Sequence, residues 1–261
     1  MVAISQMKSL AAFAFVGLPL LFVPGCGKGG SNVQYGSASY NATEVFGDGT
    51  AALALAKAAG RGDVKEINRL ISEGASVDTV GHHGITPLWW ALWAKNYEGF
   101  RALLDKGANP NTQRVEGVPI MVLAADMKDA RFLAAALKRG GDPNLHDAKS
   151  GKTPLYSAVL HGYKQSIELL LTANADVNVQ IPVSRETLPM VAIGSRADYE
   201  LAYRLFQSGS DPALKDVDGK TVADTITIRS INASNRGDPW REKVLEYLRD
   251  KGVTTNKGTN R

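Results

Sequence analysis

Residues 84–111 read GITPLWWALWAKNYEGFRALLDKGANPN. Thr86-Pro87-Leu88 opens one apolar segment, a short polar break follows at Lys95-Asn96, and a second apolar segment ends at Gly107-Ala108. Proline suits the first turn of a helix, because its φ is preset and the N–H it lacks would have no intrahelical acceptor there. Near copies of this stretch recur along the chain. Their closing residues are Gly74, Gly107, Gly140, Asn174, Gly209 and Gly252, at spacings of 33, 33, 34, 35 and 43. A helix commonly ends in a left-handed residue, which glycine adopts freely and asparagine tolerates best among the others. The terminator row therefore predicts helix pairs repeated about every 33 residues, a period that belongs to stacked repeats.

Working outward, the first unit runs from a helix beginning at Ala51 through Gly60-Arg61-Gly62-Asp63 to a second helix over 64–72. There Val64, Ile67, Leu70 and Ile71 fall on one face. The third unit starts at Gly117-Val118-Pro119-Ile120 and the fourth at Gly151-Lys152-Thr153-Pro154-Leu155. The fifth carries Leu188-Pro189-Met190, and the sixth starts at Asp218-Gly219-Lys220-Thr221. The wide last spacing places an insertion within 227–237. The closing helix takes Asp238 as N-cap and Pro239 behind it, with Val244, Leu245 and Leu248 inward. The T-P-L starts, the G-A closings and the period resemble the ankyrin family over roughly residues 51–252. That resemblance implies an all-α fold, an ankyrin-repeat solenoid of about six helix-turn-helix units with projecting loops. Its concave face would be made of loop tips and first helices, with polar caps at both ends.

The expected organisation is a signal peptide over 1–25, a lipidated cysteine with a flexible tether over 26–45, the repeat domain over 46–255, and a disordered tail over 256–261. Lys8 precedes a short apolar run, Leu10 to Val23, broken by Gly17 and Pro19. That run is too short for a comfortable membrane span. Val23-Pro24-Gly25-Cys26 then sets the only cysteine after a small residue and resembles a bacterial lipobox, which implies lipidation of Cys26. A secretory signal with an incidental cysteine is the alternative. Gly27 stands where the lipoprotein sorting rule would use Asp for inner-membrane retention, so the resemblance implies an outer-membrane anchor facing the periplasm. Gly, Ser and Asn dominate residues 27–43, the composition of a tether. With no second cysteine, the domain gains nothing from an internal disulfide.

Composition excludes some functions. The net charge of +4 is small, and lysines and arginines are interleaved with acids, so no stripe exists to track a nucleic-acid backbone. Gly151-Lys152-Thr153 and Gly219-Lys220-Thr221 lack the preceding glycine of a phosphate loop, since His146 and Leu214 stand in its place. Four histidines spread over three repeats give no metal-ligand spacing. No G-x-S-x-G elbow and no carboxylate pair with a distinctive context occurs. The expectation is a protein that is no enzyme, without cofactor or metal, monomeric outside a complex.

Two surfaces are candidates for a protein partner. Trp89, Trp90 and Trp93 are three of four tryptophans and lie on one first helix. By the ankyrin pattern Trp90 is buried, Trp93 faces the concave side and Trp89 lies near the loops, with Asp126, Met127, Tyr156, Leu160 and His161 on the same face. Tryptophan and tyrosine are favoured in binding hot spots, although filling space between repeats would equally explain Trp90 and Trp93. The loop tips offer His82, His83, Arg114, Glu116, Asp147, Lys149, Ser184, Arg185, Lys215 and Asp216, a mixture suited to protein recognition. Small exported ankyrin lipoproteins resemble immunity proteins that block toxins of contact-dependent secretion, including type VI lipase effectors. The resemblance implies a cognate phospholipase-like toxin whose active site is covered. A scaffold for a resident envelope protein is the other reading.

Overall fold

The computed structural model describes residues 32–35, 38–231 and 237–255. The expected signal peptide, Cys26, the centre of the insertion and the tail after 255 lie outside the described residues. Strands β1 (Asn32–Tyr35) and β2 (Ala38–Asn41) pair antiparallel, with Val33 opposite Tyr40, and lead into the short helix α1 (Ala42–Phe46). Six helix pairs follow: α2 (Ala51–Arg61) with α3 (Val64–Ser72), α4 (Pro87–Trp93) with α5 (Tyr97–Asp105), and α6 (Ile120–Ala125) with α7 (Arg131–Lys138). They continue as α8 (Pro154–His161) with α9 (Lys164–Thr172), α10 (Leu188–Arg196) with α11 (Tyr199–Gln207), and α12 (Val222–Ile231) with α13 (Pro239–Asp250).

The terminators behave as their residue types require. Gly74, Gly107, Gly140, Gly209 and Gly252 have φ between 71° and 99°, and Asn174 has φ 58°. At the other end of the unit, the hydroxyls of Thr86 and Thr153 accept from Trp89 N and Tyr156 N, capping α4 and α8. Thr221 N instead donates to the Asp224 carboxylate at 2.8 Å. Pro119 takes the N-cap place of α6, the shortest first helix, and supplies no side-chain cap.

First helices pack on first helices and second on second, so the array has an inner and an outer layer with the core between them. Leu88, Ala91, Leu103 and Leu104 are buried there, as their spacing predicts, and Val244 and Leu248 close the far end. A polar ladder stitches the repeats at one register. Asn109 N donates to Asp78 Oδ1, Asp142 N to Asn111 Oδ1, Asp176 N to Asn144 Oδ1 and Asp211 N to Asn178 Oδ1, at 2.7–3.0 Å. Each such bond is worth roughly 0.5–1.5 kcal/mol net, and together they fix the stacking register.

The N-terminal segment departs from the tether expectation. Within 26–45 the described residues form the β1–β2 hairpin and most of α1, with Asn41 Oδ1 accepting from Thr43 N at 2.8 Å as the helix cap. Val45 and Phe46 are buried, and Phe46 meets the Trp90 ring edge-on at 5.9 Å. The reason is packing. On the inner layer α1 covers α2, and β1 lies against α4, while α3 keeps Lys65, Asn68, Arg69 and Ser72 exposed, as an outer cap requires.

Between pairs, the chain projects as fingers. Finger backbones bond to one another: Val115 N donates to His83 O at 3.1 Å, Ala148 N to Gly117 O at 3.0 Å, and Val217 N to Ser184 O at 2.9 Å. At the matching place on the fourth finger stands Pro182, which has no N–H. It packs on the preceding finger so closely that a Cβ on Gly151 would collide with Pro182 Cδ.

Candidate protein-binding surface

Counting from the first-helix caps at Thr86, Pro119, Thr153, Thr187 and Thr221 puts the inner face in register. Three residues on from each cap stand Trp89, Val122, Tyr156, Met190 and Asp224, and all five are buried. Seven residues on stand Trp93, Asp126, Leu160, Gly194 and Ile228, and from Asp126 onward these are half-buried or exposed. The two positions are one helical turn apart and share a face of the helix, but only the later one reaches the surface. This corrects the expectation for two residues. Trp89 is fully buried, and Tyr156 is 7% exposed with its hydroxyl pKa pushed up to about 12, first by burial and then by the nearby Glu186 charge.

Trp93 lies at the surface register yet is 7% exposed, because the N-terminal hairpin covers it. The Tyr40 ring stacks on Trp93 with centroids 5.1 Å apart and planes at 20°. The Arg114 guanidinium stands 5.1 Å from the Trp93 ring and 5.6 Å from the Tyr40 ring. Its Nη2 donates to Tyr40 Oη at 3.0 Å and to Glu116 Oε1 at 3.2 Å. The sequence places Arg114 on an open loop tip; in the structure it is 6% exposed, and its charge is held between two π-faces and a carboxylate. Trp93 and Arg114 therefore serve the N-terminal cap. Glu116 remains partly exposed beside them, and the His83 ring, on an exposed residue, meets Tyr40 edge-on at 6.2 Å.

Beyond the hairpin the inner face is open. Asp126 and His161, from adjacent repeats, approach to 3.3 Å between Oδ1 and Nε2, and the imidazole stacks on Tyr163 at 5.3 Å. Leu123, Met127 and Leu160 lie half-buried around them. Farther along come Gly194, Ser195 and then Ile228, which is 50% exposed. The nearest atom to a Cβ placed on Gly194 would be a Thr225 methyl at 3.8 Å, so the face stays shallow there. Three of the expected residues, Asp126, Leu160 and His161, thus come together as one small patch.

The remaining expected residues are on fingers. His82, Lys149 and Arg185 are exposed, and Arg185 sits at φ 53°. Asp147 shapes its own turn, with Oδ1 accepting from Lys149 N at 2.9 Å and Ser150 N at 2.7 Å. Asp216 does the same for its finger, accepting from Asp218 N and Lys220 N. Sequence reasoning missed Tyr40 and Ile228. The signal for Tyr40 was Asn41-Ala42-Thr43, a cap followed by a helix start inside a segment read as linker. Ile228 falls at the same register as Trp93.

Among the described residues there is no group of three or more His, Cys, Asp or Glu side chains that could hold a metal, and no helix long and apolar enough to cross a membrane. A shallow cleft of about 460 Å³ lies on the outer side between Asp105, Asn109 and Arg139. The Arg139–Asp105 ion pair borders it.

Comparison with known proteins agrees with this geometry. A family model described as ankyrin repeats in three copies matches residues 29–114, and a single ankyrin-repeat model matches residues 150–181. Protein PhlB of Serratia liquefaciens is 36% identical over 132 residues, 51% of this chain and 58% of PhlB. The mouse B-cell lymphoma 3 protein homolog is 28% identical over 159 residues, 59% of this chain and 35% of that protein. The chain thus spans 58% and 35% of the lengths of these two relatives. The crystal structure of the ankyrin-repeat protein EF0377 superposes with a TM-score of 0.63 at 26% identity, covering 75% of this chain and 97% of that one. Repeat signature, two-layered solenoid and matched segments agree, and the chain has the ankyrin-repeat fold.

Proposed function

We propose that this chain is a periplasm-facing lipoprotein, anchored through Cys26 in the outer membrane, that binds another protein and inhibits it. The partner is a secreted toxin of the type VI lipase kind, and inhibition is steric, the solenoid lying across the toxin's active-site cleft. The observation that carries the binding role is the open inner face of repeats 3 to 6. There Asp126, Leu160, His161 and Ile228 reach solvent while the same register in repeat 2 is sealed. An ankyrin-repeat solenoid is typically an interaction scaffold without catalysis of its own. The signal-like run, Cys26 and the small residue before it support export and anchoring.

Co-expression with the product of the adjacent gene tests this reading. A one-to-one complex that suppresses lipase activity, and is weakened at least about tenfold by Leu160→Asp, supports it. A deletion strain that survives attack by its siblings unharmed contradicts the immunity role. A stable complex with a resident envelope protein in such a strain would identify a scaffold instead. Cys26→Ser should move the protein from the membrane to the soluble periplasmic fraction, and unchanged fractionation would remove the anchor.

A further inference from the structure

Five large apolar side chains are exposed among the described residues, and four of them are on fingers: Val80 at 65%, Val115 at 77%, Val183 at 79% and Val217 at 65%. Val115, Ala148, Pro182 and Val217 stand eight residues beyond Gly107, Gly140, Asn174 and Gly209, one position repeated on four fingers, with Val183 next to it. The backbone does not demand valine there. Ala148 makes the same finger-to-finger bond as Val115 and Val217, and threonine would give the same β-branch without an apolar surface. Inner helices of adjacent repeats pack about 8–10 Å apart, so the apolar tips recur at roughly that interval along the array.

The charges beside this row are uneven. Asp147 and Asp216 are occupied by their own turns, Asp218 pairs with Lys220 Nζ at 3.0 Å, Glu116 pairs with Arg114, and Glu186 accepts from Ser184 Oγ. Lys149, Arg185 and Lys215 are exposed, and none of the three has an ion pair among the described residues. A partner approaching the tips therefore meets apolar side chains flanked by cations that no ion pair holds, while Glu116 and Asp218 are paired and Asp147, Asp216 and Glu186 hold hydrogen bonds within their own fingers.

We infer that the fingertip row is a docking ridge for an acidic, apolar segment of a protein partner, the valines burying its apolar side chains and Lys149, Arg185 and Lys215 meeting its carboxylates. This rests on the protein-binding reading above and adds the chemistry of the partner. A membrane surface fits less well, because interfacial contact favours tryptophan, phenylalanine and leucine, and the fingertip row presents only valine, alanine and proline.

The probe is a labelled synthetic peptide of repeated Asp-Glu-Val. An extended strand advances about 3.3 Å per residue, so its valines recur near 10 Å and match the finger spacing. The full chain should bind it, and binding should weaken at least about tenfold in the triple variant K149E/R185E/K215E and in V115S/V183S/V217S. It should also weaken as ionic strength rises from roughly 0.01 to 0.15 M, which shortens the Debye length from about 30 to 8 Å. All six positions are exposed, and an unchanged helical spectrum confirms folding; K149Q/R185Q/K215Q, with an intermediate loss, guards against a charge-reversal artefact. Absence of binding, equal binding of a Lys-Lys-Val peptide, insensitivity to both triple variants, or capture of phosphatidylglycerol vesicles with the peptide ignored would overturn the ridge. The two proposals fail separately. A toxin complex that tolerates the ridge variants but not Leu160→Asp leaves the inner-face reading standing and removes the ridge.

Discussion

Repeat 2 and repeat 4 carry the same local design and use it differently. Both open with a threonine cap and proline, and both place an apolar side chain seven residues beyond the cap, Trp93 in one and Leu160 in the other. Trp93 is roofed by Tyr40 and gripped by Arg114, whereas Leu160 reaches solvent beside Asp126 and His161. Repeat 1 has no preceding repeat, so its apolar surface must be closed by something else, and the segment that closes it reaches on to the inner face of repeat 2. Here the hairpin and α1 close it, and the aromatic cluster becomes part of the cap. The surface left for a partner moves along the array to repeats 3 to 6 and the fingers.

The contrast between the two repeats is most exposed to test at Trp93. Trp93→Ala should cost about 3–5 kcal/mol, as expected for deleting a buried aromatic, and lower the urea midpoint strongly. Leu160→Ser should cost much less, because its side chain is only partly buried. Equal losses would mean that the two repeats do not differ as described. Tyr156, buried at the earlier register, gives a pH test. Its hydroxyl pKa rises from the ordinary 10.0 to about 12, so folding favours the protonated form. That contribution is intact below pH 10 and is lost as pH rises toward 12, a fall of about 2–3 kcal/mol. Urea titrations at about pH 9 and about pH 12 should show it, and Tyr156→Phe should remove that component.

A smaller effect concerns the roof over Trp93. Tyr40→Ala and Arg114→Ala should each destabilise the N-terminal end, and a double-mutant cycle should return a coupling of about 1–2 kcal/mol. Amide exchange would localise the loss to the first two repeats. A coupling near zero would leave the guanidinium between two rings without energetic meaning. Smallest of all, Ile228→Ser should change stability by about 0.5 kcal/mol or less, since its side chain stands half exposed. A large loss there would show that the last inner helix carries packing the open face does not reveal.

Much of the fold was legible in the sequence because its punctuation is local. A left-handed terminator, a threonine cap and a first-turn proline each depend on one or two residues, and all six terminators take the conformation their residue types suggest. The polar ladder went unread, although Asn and Asp recur after the terminators, because which side chain meets which N–H is decided by the stacking of one repeat on the next. The surface was harder to read. Trp89 and Trp93 lie on the same face of one helix, and only the neighbouring elements decide which of them is deep. Arg114 carries the charge typical of an exposed residue, but a hairpin more than seventy residues upstream removes it from water. That hairpin falls in a Gly- and Ser-rich segment whose composition describes a linker, and only packing against α4 gives it structure. Residues whose fate depends on such long-range contacts cannot be assigned from periodicity.

The affinity for the isolated partner, measured in parallel with the urea midpoint for Leu160→Asp and Trp93→Phe, separates the two repeats in a single experiment. Leu160→Asp should weaken binding at least about tenfold with its midpoint little changed. Trp93→Phe should lower the midpoint and bind normally once folded. Normal binding by Leu160→Asp together with lost binding by a fully folded Trp93→Phe would contradict the inner-face assignment, and would return the docking surface to repeat 2.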